Sequence, residues 1–245
     1  MFESLSGKKV VIVGTDSGVA LAVAKQTIEL GASVVLSHDS QDKLNEAMES
    51  LSGEIEAKTV DILNEDSVKA FFEQVGNFDH LIVTSVGDRN MPRSLLVEMT
   101  TETAQGAMEK FWGMFFVVRA SLKNIATNGS ITLTSSVSIF KPSKMGGISV
   151  IAAANGAVAT FGRLLALELS PIRVNVIASG LIEDTSIWSI QSESERSDLT
   201  KWATAALPVG HLGQPEELAQ AMLSLITNPY VTGVVLPVDG GVTML

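Results

Sequence analysis

The feature that most limits what this chain can become is a regular alternation of short apolar runs with stretches of helical periodicity. Residues 9–13 form a nearly continuous apolar run, as needed for a strand buried on both faces of a parallel sheet. Residues 17–30 then carry apolar side chains at helical spacing and stop at Gly31, a residue suited to a helix C-terminus. The alternation continues as strand 33–36, helix 41–51, strand 56–60, helix 65–75 and strand 80–84. The second half predicts a long helix from about 101 to 126, strand 130–134, helix 149–169, strand 173–177, helix 215–226 and strand 233–238. Strands and helices alternating at these lengths imply right-handed crossovers and a doubly wound parallel sheet of about seven strands. No linker, repeat or low-complexity tract interrupts the pattern, so one α/β domain over 1–245 is expected. Only 183–207 breaks the rhythm, with polar residues around Trp188 and Trp202; it reads equally as a lid or as a surface excursion.

Composition narrows the chemistry. At 245 residues and 46% hydrophobic content the chain can bury a substantial core. It has no cysteine, and His38, His80 and His211 are scattered, so neither disulfides nor a metal centre is expected. A net charge of −10 disfavours nucleic acid, whose binding draws on Lys and Arg neutralising phosphates. The N-terminal stretch, with Glu3 and a short apolar run, has no signal-like pattern, and a cytoplasmic protein without membrane partners is expected. Residues 145–162 lack charge over nearly a membrane-spanning length, but Ser149, Asn155 and several glycines fit a loop followed by a helix buried against protein.

Two regions carry the functional signal. The first is Gly14-Thr15-Asp16-Ser17-Gly18-Val19-Ala20, set between a predicted strand and a predicted helix. Glycines there let the backbone approach a pyrophosphate resting on a helix N-terminus. The second runs from Thr134-Ser135-Ser136 through a loop into a helix ending Leu164-Leu165-Ala166-Leu167-Glu168-Leu169. With Leu212-Gly213-Gln214-Pro215 and Val238-Asp239-Gly240-Gly241 near the C-terminus, the chain resembles the short-chain dehydrogenase/reductase family over nearly its whole length. That resemblance implies a Rossmann fold and a nicotinamide dinucleotide.

Under the resemblance, Gly14, Ser17, Gly18 and Val19 would line the phosphate loop, and Asp61 with Ile62 would hold the adenine edge. Asp61 could instead merely cap the following turn. Asp39 stands where members using NADP commonly carry arginine, and Ser17 where they often carry a base, so NAD is expected over NADP. Asp16 brings a carboxylate into the phosphate loop, where it would repel a cofactor unless it turned outward. The family's Asn-Asn-Ala-Gly is replaced by Thr84-Ser85-Val86-Gly87, leaving Gly87, and its Pro-Gly motif by Ser179-Gly180, with Thr185 one residue late.

The catalytic positions depart furthest. Aligning the helix puts Ile151 in the place of the family's tyrosine and Asn155 in that of its lysine, so only Ser136 of the catalytic residues is retained. The loop before Ile151 is two residues longer than usual, and counting by spacing alone puts Ser149 at the acid position. Lys110 stands where the family has asparagine, as if lysine and asparagine had exchanged places. Lys110 could keep an ammonium in the pocket, or could be a solvated lysine without a role. The implied readings are an oxidoreductase for a small carbonyl or alcohol, and a relative without hydride transfer serving as sensor or partner subunit. Ala152, Ala153, Gly156 and Ala159 on one helix and the apolar run 111–118 on another imply a homodimer or homotetramer, as helix pairs form in that family.

Overall fold

The computed structural model describes residues 4–14, 18–84, 94–142, 147–185 and 191–245. Its elements are β1 (Lys9–Val13), α1 (Gly18–Glu29), β2 (Ser33–His38), α2 (Gln41–Ser50), β3 (Ile55–Thr59), α3 (Glu65–Val75) and β4 (Phe78–Val83). The second half adds α4 (Thr101–Ala107), α5 (Glu109–Ser121), β5 (Ile125–Ser136), α6 (Ser149–Glu168), β6 (Arg173–Ser179), α7 (Glu193–Ala206), α8 (Pro215–Thr227) and β7 (Val235–Val238). The strands form one seven-stranded sheet in the order β3-β2-β1-β4-β5-β6-β7. Every pairing is parallel.

Side chains alternate across each strand, so a continuous apolar run feeds two cores at once. Val11 and Val13 of β1 join Phe72 of α3, Met114 of α5 and Val158 of α6 on one face. Val10 and Ile12 join Val23 of α1, Leu44 of α2 and Leu223 of α8 on the other. Each such buried aliphatic side chain contributes roughly 1.5–3 kcal/mol. Local signals agree with the tertiary packing: Ser40, Asn64 and Thr100 cap α2, α3 and α4 with their side chains, and Ser192 and Glu195 form a reciprocal box at the start of α7.

Helix α6 is apolar enough, at mean hydropathy 1.6, to pass for a membrane span by composition. Its packing gives it another role. Ala154, Val158, Gly162, Leu165 and Ala166 are buried, and a Cβ on Gly162 would come within 2.4 Å of Val176 Cγ2 on β6. The helix lies that close to the sheet because no side chain intervenes there.

The structure corrects the long helix expected from 101 to 126. Met108 lies between α4 and α5, and its N–H bonds Gln105 O and Gly106 O in a tightened turn. Residues from Ile125 onward belong to β5, whose register against β4 shifts between Phe78 and His80. The irregularity at 126–129 hid the start of the strand from its apolar pattern. The excursion at 183–207 contains α7, which packs through Ala203 and Leu207 onto Leu212, while Trp202 stays 42% exposed. Trp188 lies outside the described residues.

His80 is buried in β4 with Nδ1 2.9 Å from Ser130 Oγ, and burial pushes its imidazole down to about 4 from 6.5. The unfolded chain therefore takes up a proton between pH 6.5 and 4 that the folded chain refuses, so this contribution is complete above pH 6.5 and is lost as pH falls through that window. Between pH 7 and pH 5 it amounts to at most about 2 kcal/mol. Denaturant titrations at the two pH values should show that loss in the natural protein, and His80→Asn should reduce it.

Candidate functional site

A parallel sheet offers its ligand crevice at the carboxyl ends of the strands, where the strand order reverses. Here that point lies between β1 and β4. Gly14 follows β1 with φ +103°, and its N–H donates to Ser37 O at 3.2 Å. Thr84, directly after β4, donates its N–H to Val13 O at 3.0 Å and its hydroxyl to Gly14 O at 2.7 Å. Thr84 thus ties β4 to the start of the phosphate loop, a role the sequence reading did not assign to it. The resemblance had marked this segment as divergent, yet a threonine supplies both donors. Ser17 and Gly87, with Asp16, lie outside the described residues.

More hydroxyls fix the neighbouring strand ends. Thr134 Oγ1 donates to Val83 O at 2.8 Å, Ser179 Oγ to Ser135 O at 3.2 Å, and Ser135 Oγ to Asn155 O at 2.9 Å. The last bond sets α6 against the end of β5. Ser136 is half-buried there, and its Oγ accepts the Ser138 N–H at 3.3 Å while capping the short helical turn Val137–Ile139. Its own hydrogen therefore stays available to a ligand oxygen.

The positions where the sequence departs from the resembled family lie on α5 and α6. Ile151 is half-buried in the first turn of α6, and Ser149 is exposed. Asn155 is 2% exposed; its Nδ2 donates to Ile151 O at 3.0 Å, and its Oδ1 has no hydrogen-bond partner. Lys110, in the first turn of α5, is 6% exposed. It is not a solvated surface lysine, and it makes no hydrogen bond or ion pair to a described residue, Ser136 and Asn155 included. The Asn155 amide oxygen is thus buried without a hydrogen-bond partner, and the Lys110 side chain is packed within the protein without pairing to a described residue.

The cofactor positions behave unevenly. Val19 is buried in α1. Asp61 is exposed at the end of β3, where Oδ1 accepts the Leu63 N–H at 3.0 Å, so it holds the turn as well as facing solvent; Ile62 packs against the core. Asp39 is 44% exposed in its side chain, with Oδ1 2.9 Å from His38 Nδ1. The Ser40 N–H points at the same Nδ1 at 2.7 Å, so one nitrogen serves either Asp39 or Ser40 according to where the ring carries its proton. Gly180 is needed for packing, because a Cβ there would come 2.6 Å from Asp239 Cα on the chain leaving β7. Thr185 Oγ1 donates to Ile182 O at 3.2 Å within its own loop.

The residue that the sequence reading passed over is Asp184. It precedes Thr185 and so occupies the place where the resemblance leads one to expect threonine; the late Thr185 was the available signal. Asp184 O accepts the Gly18 N–H at 2.9 Å, and a Cβ on Gly18 would fall 2.3 Å from Asp184 Oδ2. The residues present therefore fit the adenosine part of a dinucleotide, whereas the pyrophosphate seat at the start of α1 has an acid of this chain beside it. Among the described residues no cluster of histidines and carboxylates could hold a metal.

Comparison with known proteins follows the same outline. Residues 13–243 match the family described as Enoyl-(Acyl carrier protein) reductase. The chain is 31% identical to the 3-oxoacyl-(acyl-carrier-protein) reductase FabG of Chlamydia muridarum, across 97% of this chain and 98% of that protein. It resembles the crystal structure of a small-chain dehydrogenase in complex with NADPH (30% identity, TM-score 0.79, 97% and 99% of the two chains). It also resembles the NADPH-bound short chain oxidoreductase from Pseudomonas aeruginosa PAO1 described as containing an atypical catalytic center (26% identity, TM-score 0.84, 98% of each chain). Both structures carry NADPH, so the preference for NAD expected from Asp39 finds no support in them. With the sheet order, the strand-end crevice and the match over 13–243 agreeing, the chain belongs to the short-chain dehydrogenase/reductase family, whose members bind NAD(P).

Proposed function

We propose that this chain is an oxidoreductase of a small carbonyl or alcohol in which Ser136 holds the substrate oxygen and Lys110 replaces the missing tyrosine as proton source. The burial of Lys110 carries the reading. A lysine without a role extends its methylenes over the surface and keeps its ammonium in water. Lys110 is buried near the N-terminus of a helix, where the dipole also disfavours a cation. The nicotinamide, when bound, supplies or accepts the hydride. Ser136 donates its free hydrogen to the reacting oxygen, and Asn155 Oδ1 offers an acceptor that no described group already occupies. Ile151 can move no proton; it closes the pocket with apolar surface.

A second reading, a relative that binds nucleotide or a partner without turnover, is favoured by Ile151 itself. The two separate in one assay with an activated ketone or dione and NADH or NADPH. Under the proposal the natural protein turns over, and Lys110→Met lowers the rate by on the order of 100- to 10,000-fold while nucleotide affinity is kept. Under the second reading the natural protein is inert, and Ile151→Tyr with Asn155→Lys restores reduction.

Asp39 supports a preference for NADH, because its carboxylate can accept from a ribose hydroxyl and repels a 2′-phosphate. Calorimetric titration should give tighter binding for NADH than for NADPH, with Asp39→Arg narrowing or reversing the difference.

The chain is further proposed to be a cytoplasmic homodimer or homotetramer, paired through α5 and α6. Trp112 is 49% exposed within a cluster of rings from Phe111, Phe115, Phe116 and Phe161, and Arg119 lies over Phe115 at 4.8 Å. On α6, Ala153 is exposed and a Cβ on Gly156 would meet nothing within 4 Å, which leaves room for a partner helix; Ala159, by contrast, is buried within the protomer. Light scattering should show an oligomer at micromolar concentration, and Trp112→Glu should shift it toward monomer.

A further inference from the structure

We infer that Asp184 is a resident anion at the N-terminus of α1, competing with the pyrophosphate of any dinucleotide and setting how tightly this chain binds one. Three observations carry this. The Asp184 carbonyl takes the Gly18 N–H at 2.9 Å, which removes one of the donors that a helix N-terminus presents to an anion. The Asp184 carboxylate lies over Gly18, with Oδ2 2.3 Å from the position a Cβ would occupy, so it fills the space that the glycine leaves open. Asp184 also has φ +51°, the only positive φ at a non-glycine among the described residues, a conformation that costs an L-residue something to hold.

The backbone beneath Asp184 is anchored. Ile182 forms a parallel bridge with Gly213; Glu183 N donates to Gly213 O at 2.9 Å, and Gly213 N to Leu181 O at 3.0 Å. Gln214 Nε2 donates to Glu183 Oε2 at 3.1 Å. This small ladder joins the loop after β6 to the residues just before α8, so the backbone stays and the Asp184 side chain is the part free to turn. Among the described residues no lysine or arginine pairs with that carboxylate. A diphosphate entering the seat meets a like charge carried on an anchored backbone, with no cation of a described residue paired to it.

The inference rests on reading the crevice as a nucleotide site, not on turnover, and its test is binding alone. NADH and adenosine, which carries no phosphate, are titrated against the natural protein and Asp184→Asn. Asparagine tolerates the same backbone conformation and removes only the charge. The expected result is an NADH affinity about tenfold or more higher in Asp184→Asn, with adenosine changed less than about twofold, as repulsion of phosphate alone requires. Equal NADH affinity in the two proteins, an equal gain for adenosine, or no NADH binding by either would overturn the inference. The contact itself is checked without nucleotide. Gly18→Ala should lower Tm by placing a methyl against the carboxylate, and adding Asp184→Gly should recover the larger part, the 3.1 Å approach to Pro215 Cγ remaining; an unchanged Tm in Gly18→Ala would also defeat the inference. Loss of turnover with nucleotide binding intact would count against the proposed reaction and leave Asp184 untouched.

Discussion

The site depends on one constraint: β1, β4, β5 and β6 run parallel, so Val13, Val83, Ser136 and Ser179 all lie at the carboxyl ends of their strands, with β5 and β6 reaching beyond Leu133, the partner of Val83. Parallel pairing leaves the last carbonyls of such strands without the next rung, and buried carbonyls need partners. Side-chain hydroxyls supply them. Thr84 serves Val13 and Gly14, Thr134 serves Val83, and Ser179 serves Ser135. Ser135 extends the set to α6 by bonding Asn155 O. The residues that would meet a substrate are thus held by a row of small polar side chains whose first duty is to finish the sheet.

Within that frame Lys110 and Asn155 Oδ1 stand apart, both on residues buried in the protein and neither paired to a described residue. His80, also buried, solves the problem of burial by staying neutral and bonding Ser130. Lys110 and Asn155 Oδ1 have no such local solution among the described residues. What is left is apolar surface, one serine hydroxyl, one amide oxygen and one ammonium. This inventory suits binding and polarising an oxygen better than relaying protons along a chain of groups.

How much of this was legible varies by element. The strands were readable because a strand buried on both faces needs a largely apolar run, and Val10 to Val13 and Val34 to Leu36 are such runs, whereas 173–177 alternates Arg173 and Asn175 with apolar residues. The helix expected over 101–126 failed in two ways. A turn at Met108 split it, and Ile125 went to β5 through an irregular register that apolar pattern does not encode. Ser40 and Asn64 cap the starts of α2 and α3 in the folded chain, a signal that the reading of the sequence by apolar periodicity did not use. Of the site, the folded chain joins α6 to the end of β5 through the bond from Ser135 Oγ to Asn155 O. Thr84 was read as a lost motif because its hydroxyl bonds to backbone atoms 70 residues away in sequence.

The sequence by itself determined the doubly wound sheet and the position of the crevice, because periodicity and residue identity are local properties. Tertiary structure alone decided that Lys110 is buried, that Gly180 serves packing against Asp239, and that Asp184 lies on Gly18. Each of these is a statement about distance between segments far apart in the chain. Burial, charge repulsion and steric room are set by what comes within a few ångströms, and only folding brings the loop after β6 onto the first turn of α1.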